Sequence, residues 1–279
     1  MKKRIFAILC CTFFLVLNGH SVYAEETEQI AFSVTPLDEA ENEQSSYYDL
    51  KVKPGEEKLL KVRVTNGSDH EITISQEANT ATTNDNGLTS YENKKSKDSS
   101  LKVPFSEIAH FEAKNLKIAK NKTVITNLII HIPDKKFDGV ILGGLRFENV
   151  HAKQLEKSDE TVIRNNIAYT IGVVLSENEK KIDPKMQLNS VEPIQKNYRT
   201  FINFNLQNIA PRIIKELNVD SKVFLLSDGE EKLAYSSEKD NMRMAPNSNF
   251  NYGIDTKNTK LVSGNYKLKI SGTADGTPF

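Results

Sequence analysis

The stretch KLLKVRVTNGSDHEITISQEA, Lys58 to Ala78, decides the fold class. Leu60, Val62 and Val64 alternate with Lys61, Arg63 and Thr65; a turn follows at Asn66-Gly67, and Ile72 and Ile74 then resume the two-residue rhythm. Successive residues of a strand point to opposite faces, so this pattern puts apolar side chains on one side and polar ones on the other. A helix would need them three and four residues apart. The reading is a half-buried antiparallel strand followed by a second one, and the turn between them predicts a hairpin.

The rhythm continues outward from there. TVITNLIIHIP, Thr123 to Pro133, has apolar residues on both faces, which predicts a central strand closed by Pro133. FDGVILGGLRFENV, Phe137 to Val150, is apolar enough for a buried strand, yet Gly143 and Gly144 sit in its middle, where glycine leaves nothing to pack. A pair of glycines there admits a close approach: a bulge, tight intersheet packing, or a shallow surface at which Arg146 and Asn149 meet a ligand. NIAYTIGVVLSE, Asn166 to Glu177, completes a first unit. Asn84 to Ser100 is long, polar and turn-rich and reads as an exposed excursion, and VPFSEIAHF reads as a short helix. A composition break at ENEKKIDPKM, Glu177 to Met186, opens a second unit with further strands, among them TFINFNLQN, LNVDSKVFLL, NFNYGID and GNYKLKI. Pro246, Asn247 and Ser248 fall in turn chemistry between two of these strands, with Asn249 opening NFNYGID.

Composition narrows the function. Lys2-Lys3-Arg4, the apolar run Ile5 to Leu17 and the small residue Ala24 form an export signal cleaved after Ala24; the run is shorter than the roughly 20 residues that span a bilayer. Of 37 Lys and Arg, three leave with the signal, so 34 face 37 Asp and Glu, and nucleic acid is not an expected partner. Both cysteines, Cys10 and Cys11, also leave, and Leu9 before them argues against lipidation. An exported body without disulfides points to a Gram-positive cell surface.

Catalytic and metal motifs are not found. His70, His110, His131 and His151 lack HxH or HxxxH spacing. Ser99 with Lys102 and Ser236 with Lys239 have SxxK spacing without companion motifs. TNDNGLTSYEN has Asn84, Asn86 and Gly87 at plausible calcium-loop positions, but Thr82 and Asn93 stand at the first and twelfth ligand positions, so a turn is expected. No metal, small-molecule cofactor or catalytic residue is expected.

Six segments together carry a resemblance: YYDLKVKPGEEKLLKVRVTNGSD, ANTATTNDNGLTSY, FDGVILGGLRFENV, LQNIAP, MAPNSNFNYGID and LVSGNYKLKI. From about Gln29 to the last residues the chain is similar to the WxL-interacting proteins of low-GC Gram-positive bacteria. The resemblance implies an immunoglobulin-like domain that binds peptidoglycan. A second such domain would bind a host extracellular-matrix ligand, and the protein would associate with WxL-domain surface proteins. Members continue through a final strand into a membrane helix, which this sequence lacks, and no LPxTG-like sequence occurs.

The expectation is an all-β, non-catalytic surface protein: a signal peptide at 1–24, then two tandem immunoglobulin-like β-sandwich domains at 29–178 and 182–279, the second without its last strand. Expected peptidoglycan contacts are Asn84, Asn86, Gly143, Gly144, Arg146 and Asn149, and expected partner contacts are Asn247, Ser248 and Asn249. A strand-donating, chaperone-like partner for surface proteins and a cell-wall hydrolase are the alternatives.

Overall fold

A computed structural model describes residues 32–44, 46–92, 97–150, 167–227, 229–257 and 259–279. Almost all regular structure is β. In chain order the first cluster contains β1 (Phe32–Leu37), β2 (Tyr47–Lys51), β3 (Glu57–Asn66), β4 (Ile72–Thr80), β5 (Thr82–Thr83), β6 (Thr89–Ser90), the single turn α1 (Phe105–Ile108), β7 (Ala109–Phe111), β8 (Asn115–Ile118), β9 (Thr123–His131), β10 (Ile141–Asn149) and β11 (Ala168–Ser176). The second contains β12 (Met186–Lys196), β13 (Arg199–Asn208), β14 (Ile214–Ser227), β15 (Glu230–Met244), β16 (Ser248–Asp255), β17 (Asn265–Ala274) and β18 (Thr277–Pro278).

Two sheets, β1-β3-β9-β7 and β2-β11-β10-β4-β8, make up the first cluster beside the small pair β5-β6. Their inward residues form one core: Val62, Val64, Leu128 and Ile130 from one sheet, Ile74, Leu145, Phe147 and Val173 from the other. β9 pairs with β3 along its length and with β7 at its C-terminal half, so the strand apolar on both faces is indeed central. The second cluster has its own core between β12-β13-β16 and β15-β14-β17-β18, built on Phe204, Leu206, Val219, Met244, Phe250 and Tyr252.

The expected hairpin at Asn66-Gly67 does not form. β3 pairs with β1 and β9, and β4 pairs with β10 and β8, so the turn carries the chain from one sheet to the other. Asn66 fixes this crossover: its side-chain amide donates to the carbonyls of His70, Ile118 and Ala119, and its Oδ1 accepts from the Ser68 N–H at 2.8 Å. Alternation requires only that each strand bury one face, and two strands in opposed sheets satisfy that as well as two neighbours do.

The glycine pair has a packing reason. Gly143 points inward and Gly144 outward, and each carries an aromatic ring in the space a side chain would take. The Phe105 ring of α1, fully buried, lies on Gly143, and the Tyr91 ring lies on Gly144. Tyr91 also reaches toward Gly172 on the neighbouring strand β11, which is in register with Gly144. Tyr48 is buried in the core while the adjacent Tyr47 is 48% exposed, as alternation requires.

Candidate functional site

The stretch expected to be an exposed excursion, Asn84 to Ser100, instead reaches the second cluster. β5 and β6 form a short hairpin whose turn is held by Asn84: its Oδ1 accepts the backbone N–H groups of Asn86 and Leu88 at 3.0 and 3.1 Å. From that turn the Gly87 carbonyl accepts the Arg243 N–H at 2.7 Å, and Asp85 accepts the Asn251 N–H at 3.2 Å. Gly87 has φ of 70°, a left-handed conformation that suits glycine, and the Met242 side chain packs against it.

Behind the hairpin lies a buried contact. Thr83 Oγ1 accepts from the Ala245 N–H at 3.1 Å and sits 2.6 Å from Ser248 Oγ, which itself donates to the Ala245 carbonyl. Ala81, Leu142 and Ala245 form a small apolar cluster there, and the Val140 N–H donates to the Pro211 carbonyl at 2.8 Å. Asp98 is the main polar clamp: its two oxygens take Gln207 Nε2 at 2.7 Å and Asn249 Nδ2 at 2.5 Å, both from the second cluster. Ser100 donates to the same carboxylate through Oγ and N, and Asn247 Nδ2 donates in turn to Ser100 Oγ at 3.2 Å. Burial alone would raise the Asp98 pKa, but these hydrogen bonds to the ionised form outweigh it and hold the carboxyl below its usual range.

Between the clusters, above this clamp, opens a polar cleft of about 380 Å³. Its first-cluster wall carries Asn79, Thr80, Thr82, Asp85 and Ser106, and its second-cluster wall Asn247, Asn249 and Asn251. Amides and hydroxyls supply both donors and acceptors. Carboxylates at Asp85, Glu92 and Asp98 face one ammonium, Lys97, which is ion-paired with Glu107. Such a lining suits a neutral, hydroxyl- and amide-rich ligand better than a polyanion. On the far side of the hairpin Lys239 stands 4.3 Å from the Tyr252 ring centre, and burial lowers its pKa against the pull of Asp85.

The sequence-predicted residues divide. Asn247, Ser248 and Asn249 gather at the junction, with Asn84 and Asn86 in the strut beside them. Gly143 and Gly144 lie under rings. Arg146 is on the outer face of β10, 3.6 Å from the Glu148 carboxylate. Asn149 stands opposite Ile74, in the inward row, so it does not share a face with Arg146; a spacing of three along a strand already dictates that. Ala24 lies outside the described residues. Sequence reasoning missed Asp98, Asn79 and Ser106. The Asp98-Ser99-Ser100 run is an ordinary turn signal, and nothing local marks its reach across to Gln207. His110 and His131 stack at 5.5 Å on adjacent strands, and among the described residues no three His, Cys, Asp or Glu side chains gather as metal ligands would.

Residues 32–149 match the family model described as the peptidoglycan binding domain of WxL Interacting Protein, and residues 158–277 match the host binding domain of the same family. The second match begins before β11, although β11 pairs with β10 and β2 of the first cluster. No curated relative matches the sequence. Among solved structures the chain is similar to the CsuC–CsuE chaperone–tip adhesion subunit pre-assembly complex of Acinetobacter baumannii, at 12% identity over 88% of this chain and 94% of that one, with a TM-score of 0.38. It is also similar to the chaperone DraB of E. coli, at 13% identity over 88% and 95%, with a TM-score of 0.33. Likeness at that level carries neither topology nor function.

Proposed function

We propose a role for each half from the premise that this chain belongs to the WxL-interacting protein family, with a peptidoglycan-binding domain followed by a host-binding domain. It is a surface protein of the cell wall. The first domain binds peptidoglycan, the second binds a WxL-domain surface protein or a host ligand, and both matched models describe binding. In our reading the domains span 29–178 and 182–279, each an immunoglobulin-like β-sandwich.

The wall polymer is held in the polar cleft, chiefly by its first-domain wall. The observation that carries this is the chemistry of the lining: Asn79, Thr80, Thr82 and Ser106 offer amide and hydroxyl groups to a polymer whose sugars and peptides present the same groups. No tryptophan is available to stack on sugar rings, so hydrogen bonding is the principal means of recognition. Arg146 adds a cation on the outer face of the same sheet. Asn84, Asn86, Gly143, Gly144, Asn247, Ser248 and Asn249 support the walls, and Asn149 lies inward. The test is co-sedimentation of the full chain with purified sacculi. Replacing Thr82, Ser106 and Asn251 together by Val, Ala and Ala should weaken retention by about tenfold or more, the effect of losing one or two net hydrogen bonds, with circular dichroism unchanged. Undiminished retention by the folded triple variant places the polymer elsewhere.

A further inference from the structure

A second cleft, of about 550 Å³, adjoins the polar one and shares Thr80, Ala81, Leu101 and Asn247 with it. Its character is different. Val103, Phe137 and Val140 of the first domain line it together with Ile209 and Pro211 of the second, and all five are only half-buried. Apolar side chains left part-exposed around one concavity are what a ligand pocket presents. Thr80, Ser100 and Asn247 add a few hydroxyl and amide groups to the wall.

Three ammonium groups line the same cleft. Lys102 follows the turn that begins at Asp98, whereas Lys135 and Lys136 lie in the connection between β9 and β10. All three are exposed, and among the described residues no carboxylate pairs with any of them. The carboxylate in the lining, Asp138, is already engaged: Lys180 Nζ stands 2.5 Å away and Asn178 Nδ2 donates to it at 3.2 Å. The β9–β10 connection is held at both ends, since its Pro133 carbonyl accepts the Gly55 N–H at 3.2 Å and its Val140 N–H donates to Pro211. The backbone that carries Lys135 and Lys136 is therefore fixed before any ligand arrives.

We propose that this cleft binds an acidic peptide segment of a partner protein, which inserts an apolar side chain among Val103, Phe137, Val140, Ile209 and Pro211 and sets flanking carboxylates against Lys102, Lys135 and Lys136. The proposal goes beyond the polar cleft and does not rest on the wall polymer being held there. Unpaired cations on two separate segments suit a ligand with more than one negative group, which a fatty acid lacks. An apolar lining suits a large hydrophobic side chain, which a polyol phosphate lacks. The adjoining polar cleft carries Asp85, Glu92 and Asp98, so an acidic segment is repelled there and attracted here.

The test uses the full chain and a short end-blocked peptide with Leu-Phe at its centre and Asp and Glu on both sides. Its counterparts are a peptide with Lys in place of the acids, one with Ser-Ser in place of Leu-Phe, and polyglycerol phosphate. The acidic Leu-Phe peptide should slow amide exchange in residues 133–140 and bind roughly tenfold more tightly than any of the other three. The triple variant Lys102→Ser, Lys135→Ser and Lys136→Ser, at exposed positions without ion pairs, should keep its circular dichroism and bind that peptide roughly tenfold more weakly. Binding of the Ser-Ser peptide or of polyglycerol phosphate as tight as that of the Leu-Phe peptide overturns the proposal, because charge alone would then account for it. Unchanged affinity of the folded triple variant overturns it too. Absence of peptide binding by protein that still sediments with sacculi also overturns it, while leaving the reading of the polar cleft intact.

Discussion

The described side-chain ties between sheets differ in the two domains: the first has them on both sides, the second on the side of β15 and β16. In the first, the Tyr48 hydroxyl on β2 donates to the Lys61 carbonyl of the opposite sheet at 2.5 Å and accepts the Leu37 N–H at 3.1 Å, and Phe32 meets Tyr169 edge-on at 5.0 Å. Its other side is tied where Thr126 of β9 donates to Gln76 of β4 at 2.9 Å. In the second domain, Ser237 of β15 and Tyr252 of β16 meet at 3.0 Å, but the β12 and β17 side is left half-exposed. The same alternating sequence pattern therefore carries different side-chain ties between its sheets in the two domains.

Five substitutions probe that contrast. The largest effect belongs to Gly143→Val, whose side chain would overlap the buried Phe105 ring. Displacing that ring should cost about 3 kcal/mol and lower the first domain's melting midpoint by roughly 6–12 °C; calorimetry reads this, and an unchanged midpoint would mean that the ring can leave freely. Next comes a paired test within the second domain. Leu206→Ala should cost about 2–3 kcal/mol in urea unfolding, and Leu188→Ala, its half-exposed neighbour across the strand pair, about 1 kcal/mol or less. Equal costs would mean that the β12 face carrying Leu188 is covered in solution.

A smaller effect is expected for Tyr48→Phe, about 1 kcal/mol at neutral pH from the lost hydroxyl bonds. Burial pushes the Tyr48 pKa up to about 12, against the hydrogen bond to Leu37. The folded value lies above the unfolded value of about 10, so the neutral phenol stabilises fully below that pH. The contribution drains away as pH rises toward 12. Removing the hydroxyl should flatten this alkaline loss, though Tyr91 and Tyr252, also raised by burial, retain part of it. The smallest effect is at the junction. The Asp98 pKa is depressed, so its contribution to domain docking is present above about pH 3.9 and is lost as pH falls through the lower folded value. Asp98→Asn should remove that acid sensitivity, read as amide exchange in the segments holding Gln207 and Asn249.

Much of the contrast could not be read from the sequence. Alternation in KLLKVRVTN and HEITISQEA identified strands and their buried faces, and the apolar faces of TVITNLIIHIP placed that strand centrally. Pairing was beyond the pattern: β3 and β4 meet across the core and not side by side, because one buried face is compatible with either arrangement. The glycine pair announced a close approach without naming Phe105 and Tyr91, which arrive from a loop and a single helical turn. Asn247 is legible as a turn residue and Asn249 as the opening of a strand, but Asp98, which binds Asn249, is linked to them only by tertiary structure.

Amide exchange on the full chain, measured alone and with solubilised peptidoglycan, tests most directly where the wall polymer sits. The account predicts that peptidoglycan slows exchange in Asn79–Ser90 and leaves Asn265–Ala274 unchanged. Protection confined to Asn265–Ala274, with Asn79–Ser90 unchanged, would contradict it.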